Sequence, residues 1–452
     1  MSQTSRTIAT APDDSPRTNA HPSFGEALRF WLKLGFISFG GPTGQIAIMH
    51  TELVEKRRWI SEARFLHALN YCMLLPGPEA QQLATYIGWL LHRTRGGIVA
   101  GSLFVLPSVV ILWVLSYVYV VHGSVPWIVA VFEGLKPAVM AIVAAAVIRI
   151  GQKALKNVIM WLLAAAAFVA IFFLGVPFPL IILFAALIGL VGAKVAAQRF
   201  IVLKPHGDRA APDDAVLGDH HGAPDHARPS VARALRVLSV CLLLWWTPVL
   251  ASAIWLGRDH TIYREGIFFS KAAMVTFGGA YAVLPYVAQQ AAENYGWLTP
   301  AQMLDGLGLA ETTPGPLIMV VQFVGFVGGA QQPGNLSPLV AATLGALLST
   351  WVTFVPCFLW ILLGAPYIET LRTNKKLTAA LSAITAAVVG VVLNLAVWFG
   401  LHILVLPTGE VHWFSLAIAV AAFLALAWRK WNMLTIIGLA ICIGIGRHFL
   451  ER

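Results

Sequence analysis

Apolar runs close to the twenty residues needed to cross a hydrocarbon core recur along the chain, at about 98–121, 126–148, 158–174, 179–193, 233–256, 338–364, 377–404, 413–428 and 433–446. Inside lipid every backbone N–H and C=O must be bonded within its own segment, so runs of this length predict an all-α polytopic membrane protein. Trp127, Trp297, Trp398 and Trp413 stand near predicted ends, where amphipathic rings favour the headgroup level. A chain of 452 residues that is 58% hydrophobic and 12% charged is not an ordinary water-soluble domain.

Two stretches break this pattern. Residues 1–23 are polar, with Asp13, Asp14 and Arg17 and no apolar centre, and read as a disordered cytoplasmic tail rather than a cleaved signal. Residues 201–232 are rich in Pro, Asp, Gly and His with almost nothing to bury, and read as a polar linker. His220, His221 and His226, with Asp219 and Asp225, form either a metal-binding cluster or a solvated loop that binds nothing. No resident metal or cofactor is expected, because Cys72, Cys241, Cys357 and Cys442 are scattered through apolar segments without paired spacing. The net charge of +10 lies in short loops beside the spans, where it sets orientation, and no nucleic-acid partner is expected.

The sequence also repeats itself. Sliding the second half back by 238 positions places Lys33 on Lys271, Phe39-Gly40-Gly41 on Phe277-Gly278-Gly279, Glu55 on Glu293 and Trp59 on Trp297. The same offset superposes Pro76-Gly77-Pro78 on Pro314-Gly315-Pro316, and 12 of the 48 positions from 31 to 78 are identical. Residues 24–200 and 257–452 therefore read as two transporter repeats, and 233–256 as a transmembrane helix linking them. The loop before Trp59 carries Lys56, Arg57 and Arg58, and Arg93 and Arg95 follow the first Pro-Gly-Pro, whereas the matching loops of the second half are uncharged. The bias then reverses, with an uncharged 122–127 against Arg372, Lys375 and Lys376. By the positive-inside rule the two repeats have inverted topologies.

If the loops at 56–64 and 92–95 are both cytoplasmic, the segments 24–55 and 61–92 each leave that side and return, as broken or re-entrant hairpins. Their bends fall at Phe-Gly-Gly and Pro-Gly-Pro, where Gly permits reversal and Pro cannot extend the hydrogen-bond ladder. Broken backbone at membrane depth is tolerated where it lines a wet cavity, and half-helix N-termini there offer N–H groups to anions. The alternative is that these residues only kink two packed helices, or that the bends lie at the far surface.

FISFGGPTGQIAIMH, the basic turn ending in Trp59, LLPGPEAQQLATYIGW and HRTRGGIVAG resemble the chromate ion transporter family, in its long form with two fused domains. MVTFGGAYAVLPYV and TTPGPLIMVVQFVGF extend the resemblance into the second half, over about 24–448. It implies a multi-pass protein of the bacterial inner membrane that exports chromate from the cytoplasm using the proton gradient, with sulfate as the competing analogue. Protons and the lipid bilayer are then its other partners, and a homodimer is an assembly to test. The motif residues fall at Phe39, Gly40, Gly41, Pro42, Pro76, Gly77, Pro78 and Gln81, and at Phe277, Gly278, Gly279, Pro314, Gly315 and Pro316. Ala280 replaces Pro42, Leu317 replaces Glu79 and Val320 replaces Gln81, so the two half-sites are not expected to be equivalent.

A dianionic oxyanion calls for N–H donors, a few polar side chains and one or two cations. Lys33 and Lys271 are the candidate cations, an intramembrane charge being costly enough to be functional by default, or else both snorkel to the headgroups. Glu79 and Glu311 flank the Pro-Gly-Pro breaks and either carry the coupling proton or, as Glu79 can, cap a helix start. Gln45, Gln81, Thr312 and Thr313 are candidate donors to the oxyanion. Asp305, Glu133 and Lys136 read as interfacial, and Arg149, Lys153 and Lys156 as a cytoplasmic anchor. A membrane-embedded enzyme would need a dense cluster of acids, histidines or a nucleophile–base pair, and a reductase a cofactor fingerprint, neither of which the sequence contains.

Overall fold

The computed structural model describes residues 21–201, 215–217, 229–367, 375–406 and 408–450. Among these the chain is helical, with isolated bridges only at Ile60–Leu217 and Val405–Val411. The first half contains α1 (Phe24–Ile37), α2 (Gly41–His50), α3 (Glu62–Cys72), α4 (Glu79–His122), α5 (Pro126–Ala154), α6 (Val158–Phe172), α7 (Phe178–Val195) and the short α8 (Ala197–Phe200). After α9 (Val231–Trp255) the second half contains α10 (Thr261–Val275), α11 (Ala280–Gln289), α12 (Pro300–Thr312), α13 (Val320–Gln331), α14 (Pro338–Gly364), α15 (Lys375–Leu404), α16 (Trp413–Ala427) and α17 (Met433–Leu450).

Helices α4, α5, α7, α9, α14, α15 and α17 are long and apolar enough to cross a membrane. Each expected apolar run coincides with a helix, but α6 and α16 have 15 residues each, roughly 22 Å at 1.5 Å per residue. Large apolar side chains such as Leu243, Ile254, Trp255, Phe184 and Val191 are exposed on the rim, which suits lipid and not water. The chain is an all-α polytopic membrane protein. Trp31, Trp89, Trp297, Phe104, Phe323, Phe326 and Phe399 are fully buried and fill the interior.

Both halves fold back on themselves in the same way. In the first, the turn after α2 brings Arg57 to 3.7 Å from Glu26 and Trp59 against Phe30, so the chain returns to where α1 began. At the break inside α4, His92 meets Phe24 and the Pro22 carbonyl, so the second excursion ends at the same place. In the second half Trp297 packs on Phe268, the residue matching Phe30, and His260, Gly296, Gln332 and Pro333 join by hydrogen bonds. Each return is made by a π-helical turn, Thr51–Lys56 and Gln290–Asn294, closed by Arg57 N–H to Glu52 and Tyr295 N–H to Gln290. In the first of these, the hydrogen bond from Lys56, followed by the charges of Lys56, Lys33 and Arg57, holds the Glu52 carboxyl below its ordinary value against the opposing effect of burial.

The polar linker departs from expectation at one place. Leu217 is buried, and residues 216 and 217 exchange backbone hydrogen bonds with Arg58, Trp59 and Ser61, because the short apolar run Ala215-Val216-Leu217 gains by docking beside Ile60. His220, His221 and His226, the tail residues 1–20 and Arg372 lie outside the described residues.

Candidate functional site

The Phe-Gly-Gly bends are set by backbone chemistry. Gly40 and Gly41 have φ of +89° and +66°, and Gly278 and Gly279 have +82° and +90°, a region L side chains rarely enter. Just before each bend a hydroxyl takes up a carbonyl left free by the ending helix: Ser38 Oγ donates to Leu34 O and Thr276 Oγ1 to Ala272 O, both at 2.6 Å. Gly40 and Gly279 cap α2 and α11 without any side-chain bond, so both N-termini keep free N–H groups.

The Pro-Gly-Pro breaks lie against the opposite half. Gly77 N–H donates to Thr276 O at 2.7 Å, and Gly315 N–H donates to Ser38 O at 2.8 Å. Donors and acceptors in the two bonds are related by the same 238-residue offset, so each break is closed by the other half's bend. A methyl group on Gly77 would lie 2.8 Å from Cys357 Sγ, and one on Gly315 2.7 Å from Ser108 Cβ. Ser108 and Cys357 each follow the proline inside a long helix, Pro107 in α4 and Pro356 in α14. Gln45, buried, adds a clamp on one side only: its Nε2 donates to Gly315 O at 2.5 Å and to Ser38 O at 3.4 Å, while the matching position 283 is Val.

Two carboxylates converge on the start of α11. Glu79, first residue of α4, sets Oε1 3.7 Å from where a β-carbon on Gly279 would stand. Glu311 is buried and accepts from the Tyr281 hydroxyl at 2.5 Å, Tyr281 being the second residue of α11. The exposed side chains of Arg149 and Lys153, in the last turns of α5, act on these groups electrostatically, Arg149 on Glu311 and Tyr281, Lys153 on Glu79. The junction therefore gathers uncapped helix starts, glycine bends and two acids.

The other candidates are placed differently. Lys33 and Lys271 are exposed, and Lys33 acts on Glu52 across its hairpin. Gln81 is buried but donates to Thr85 within α4 at 3.2 Å. Thr312 and Thr313 donate to carbonyls of their own helix. Pro78 caps α4, Pro42 lies in the first turn of α2, and Pro316 precedes a 3-10 turn, Leu317–Met319, that leads into α13. Asp305 is 2% exposed, accepts from Tyr119 at 2.8 Å and lies 3.6 Å from Lys136 Nζ, because α12 turns it inward against α5. Ser38 and Thr276 were not singled out from sequence, though a hydroxyl before Phe-Gly-Gly in both halves was the available signal.

Residues 25–190 and 265–445 match the chromate transporter family. The chain belongs to that family. Among curated relatives of this transporter, the chromate transport protein of Pseudomonas aeruginosa is 31% identical over 375 residues, 82% of this chain and 79% of the relative. That of Cupriavidus metallidurans is 28% identical over 442 residues, 96% of each chain. The probable chromate transport protein of Synechococcus elongatus is 28% identical over 391 residues, 86% of this chain and 88% of the relative. No solved structure matches. The transporter is not an enzyme, and its two family matches take in both cross-bonded bends.

Proposed function

We propose that this transporter carries chromate out of the cytoplasm across the inner membrane in exchange for protons, through the junction of the Phe-Gly-Gly and Pro-Gly-Pro breaks. The observation that carries the reading is the reciprocal closure of those breaks at a place made by both halves, with Glu79 and Glu311 beside the uncapped N-terminus of α11. The positive-inside bias puts Lys56, Arg57, Arg93, Arg149 and Lys153 on the cytoplasmic side and inverts the second repeat. A tetrahedral dianion is drawn in by Arg149 and Lys153 and bound by backbone N–H groups, which hold it without a fixed counter-charge and so let it leave. Lys33 and Lys271, exposed on their hairpins, serve the approach rather than the junction. Glu79 and Glu311 take up and release the coupling proton, since a carboxylate that must alternate between a dianion and an empty site is least costly when it can be neutral.

The test is flux of labelled chromate through the purified full chain in proteoliposomes, with sulfate as competitor. Chromate flux inhibited by excess sulfate supports the reading. Sulfate flux with no chromate flux would assign another oxyanion, and no flux of either would overturn it.

A further inference from the structure

We propose that a second oxyanion-binding site lies between α4, α5, α12 and α13, with Lys136 as its cation and Asp305 as a latch that a proton opens. The proposal rests on the transport reading above and extends its path beyond the junction.

A cavity of about 400 Å³ opens there, lined by polar side chains including Tyr119, Ser124, Lys136, Gln302, Asp305 and Gln331. That volume holds on the order of ten waters, ample for a tetrahedral oxyanion with part of its shell. Asp305 is held unevenly. The Tyr119 hydroxyl donates to Oδ2 at 2.8 Å and Lys136 Nζ stands 3.6 Å from the same atom, while Oδ1 is buried with no hydrogen-bond partner. A buried carboxylate oxygen without a donor is costly, and here it is the vacant position for a proton. The charged and titratable groups facing Asp305 are Tyr119 from α4 and Lys136 from α5, whereas α13 contributes Val327 and Gln331, which carry no charge.

The latch works by competition for one ammonium group. While Asp305 is ionised, Lys136 is taken up by the carboxylate and the cavity offers an anion no free cation. A proton on Oδ1 cancels that pairing, and Lys136, a quarter exposed, becomes available to an oxyanion together with the Gln302 amide nitrogen, whose oxygen is fixed by bonds from Gln331 Nε2 and Thr299 N–H. Asp305 and Glu311 lie on the same helix six residues apart, roughly 9 Å along its axis. Leu135 and Val139 of α5 pack on Gly308 between them, so the cavity and the junction are consecutive stations on one helix. The cavity includes Gly123 and Ser124 of the uncharged loop, at the opposite end of α5 from Arg149 and Lys153. When Asp305 gives up the proton to the solvent of the cavity, its carboxylate is ionised again, retakes Lys136 and expels the anion, so occupancy of the cavity follows protonation of Asp305.

The experiment is sulfate titration of the purified full chain in lipid nanodiscs, from mildly acidic to mildly alkaline buffer, with chromate flux in proteoliposomes run in parallel. Wild type is expected to bind sulfate more tightly as pH falls. Asp305→Asn should bind at alkaline pH as wild type does at acid pH, a gain of roughly tenfold, within the usual range for two coupled sites. Lys136→Gln should lose the acid-strengthened component. The double variant removes both charges at once, leaves no stray ion to unfold the protein, and should bind weakly at every pH. Wild-type affinity and pH dependence in Asp305→Asn or in the double variant would show that the pair is structural and overturn the proposal. Absence of chromate flux in wild type would fail the transport reading, whereas a titration insensitive to Asp305 with flux intact fails the latch alone.

Discussion

Gly315 donates its backbone N–H to the carbonyl of Ser38 across 2.8 Å, joining the Pro-Gly-Pro break of one half to the Phe-Gly-Gly bend of the other. The matching bond from Gly77 to Thr276 makes the arrangement reciprocal. Each half thus supplies the acceptor that the other half's broken backbone needs, and a polar group left unpaired inside lipid would cost several kcal/mol. The junction exists only in the assembled chain, because each of its two bonds needs both halves.

Gly315→Ala places a methyl group 2.7 Å from Ser108 Cβ and requires alanine to hold φ of +108°. Backbone strain and overpacking each cost of order 1–3 kcal/mol, so the variant should melt well below wild type and lose flux. Gly41→Ala meets open space at φ +66° and should cost only about 1 kcal/mol. Melting curves in detergent compare the two, and equal losses would contradict the packing described.

Glu79→Gln and Glu311→Gln keep the volume and a hydrogen-bonding head but cannot exchange a proton. Both variants are expected to retain chromate exchange between equal concentrations while losing stimulation by an imposed proton gradient. Stimulation that survives in both would place the coupling group elsewhere.

Arg149→Gln and Lys153→Gln should weaken chromate affinity at the basic end, each by about tenfold, which is ~1.4 kcal/mol. Raising the ionic strength should shrink the difference from wild type, because exposed charges are screened over about 10 Å at 0.1 M salt. An effect indifferent to salt would point to a structural role.

Arg57→Cys and Tyr295→Cys occupy positions matched by the 238-residue offset, in the returns of the two halves. With inverted repeats an impermeant thiol reagent reaches the first from the cytoplasmic side and the second from the opposite side. Labelling of both from one side would refute the inversion.

Much of this was legible in the sequence. Apolar runs gave the helices, and Gly and Pro at matched positions located the bends, since those residues act through the backbone wherever they stand. The bonds that close the junction were not legible, because Gly77, Thr276, Gly315 and Ser38 meet through main-chain atoms that carry no sequence signature. The pairing of Asp305 with Lys136 was not legible either, because the two are far apart in sequence and only the packing of α12 on α5 brings them to 3.6 Å. Gln81 sits beside a break in sequence yet turns to Thr85. Leu217 shows the converse, the end of a three-residue apolar run too short for any periodicity to announce its docking.

The most direct measurement is uptake of radiolabelled chromate into everted membrane vesicles carrying this transporter, with the proton gradient imposed and then collapsed. Gradient-dependent uptake in wild type that is lost in Gly315→Ala and uncoupled in Glu79→Gln is the predicted result. Uptake no greater than in vesicles lacking the protein, or uptake unchanged when the gradient is collapsed, would contradict proton-coupled export through the junction.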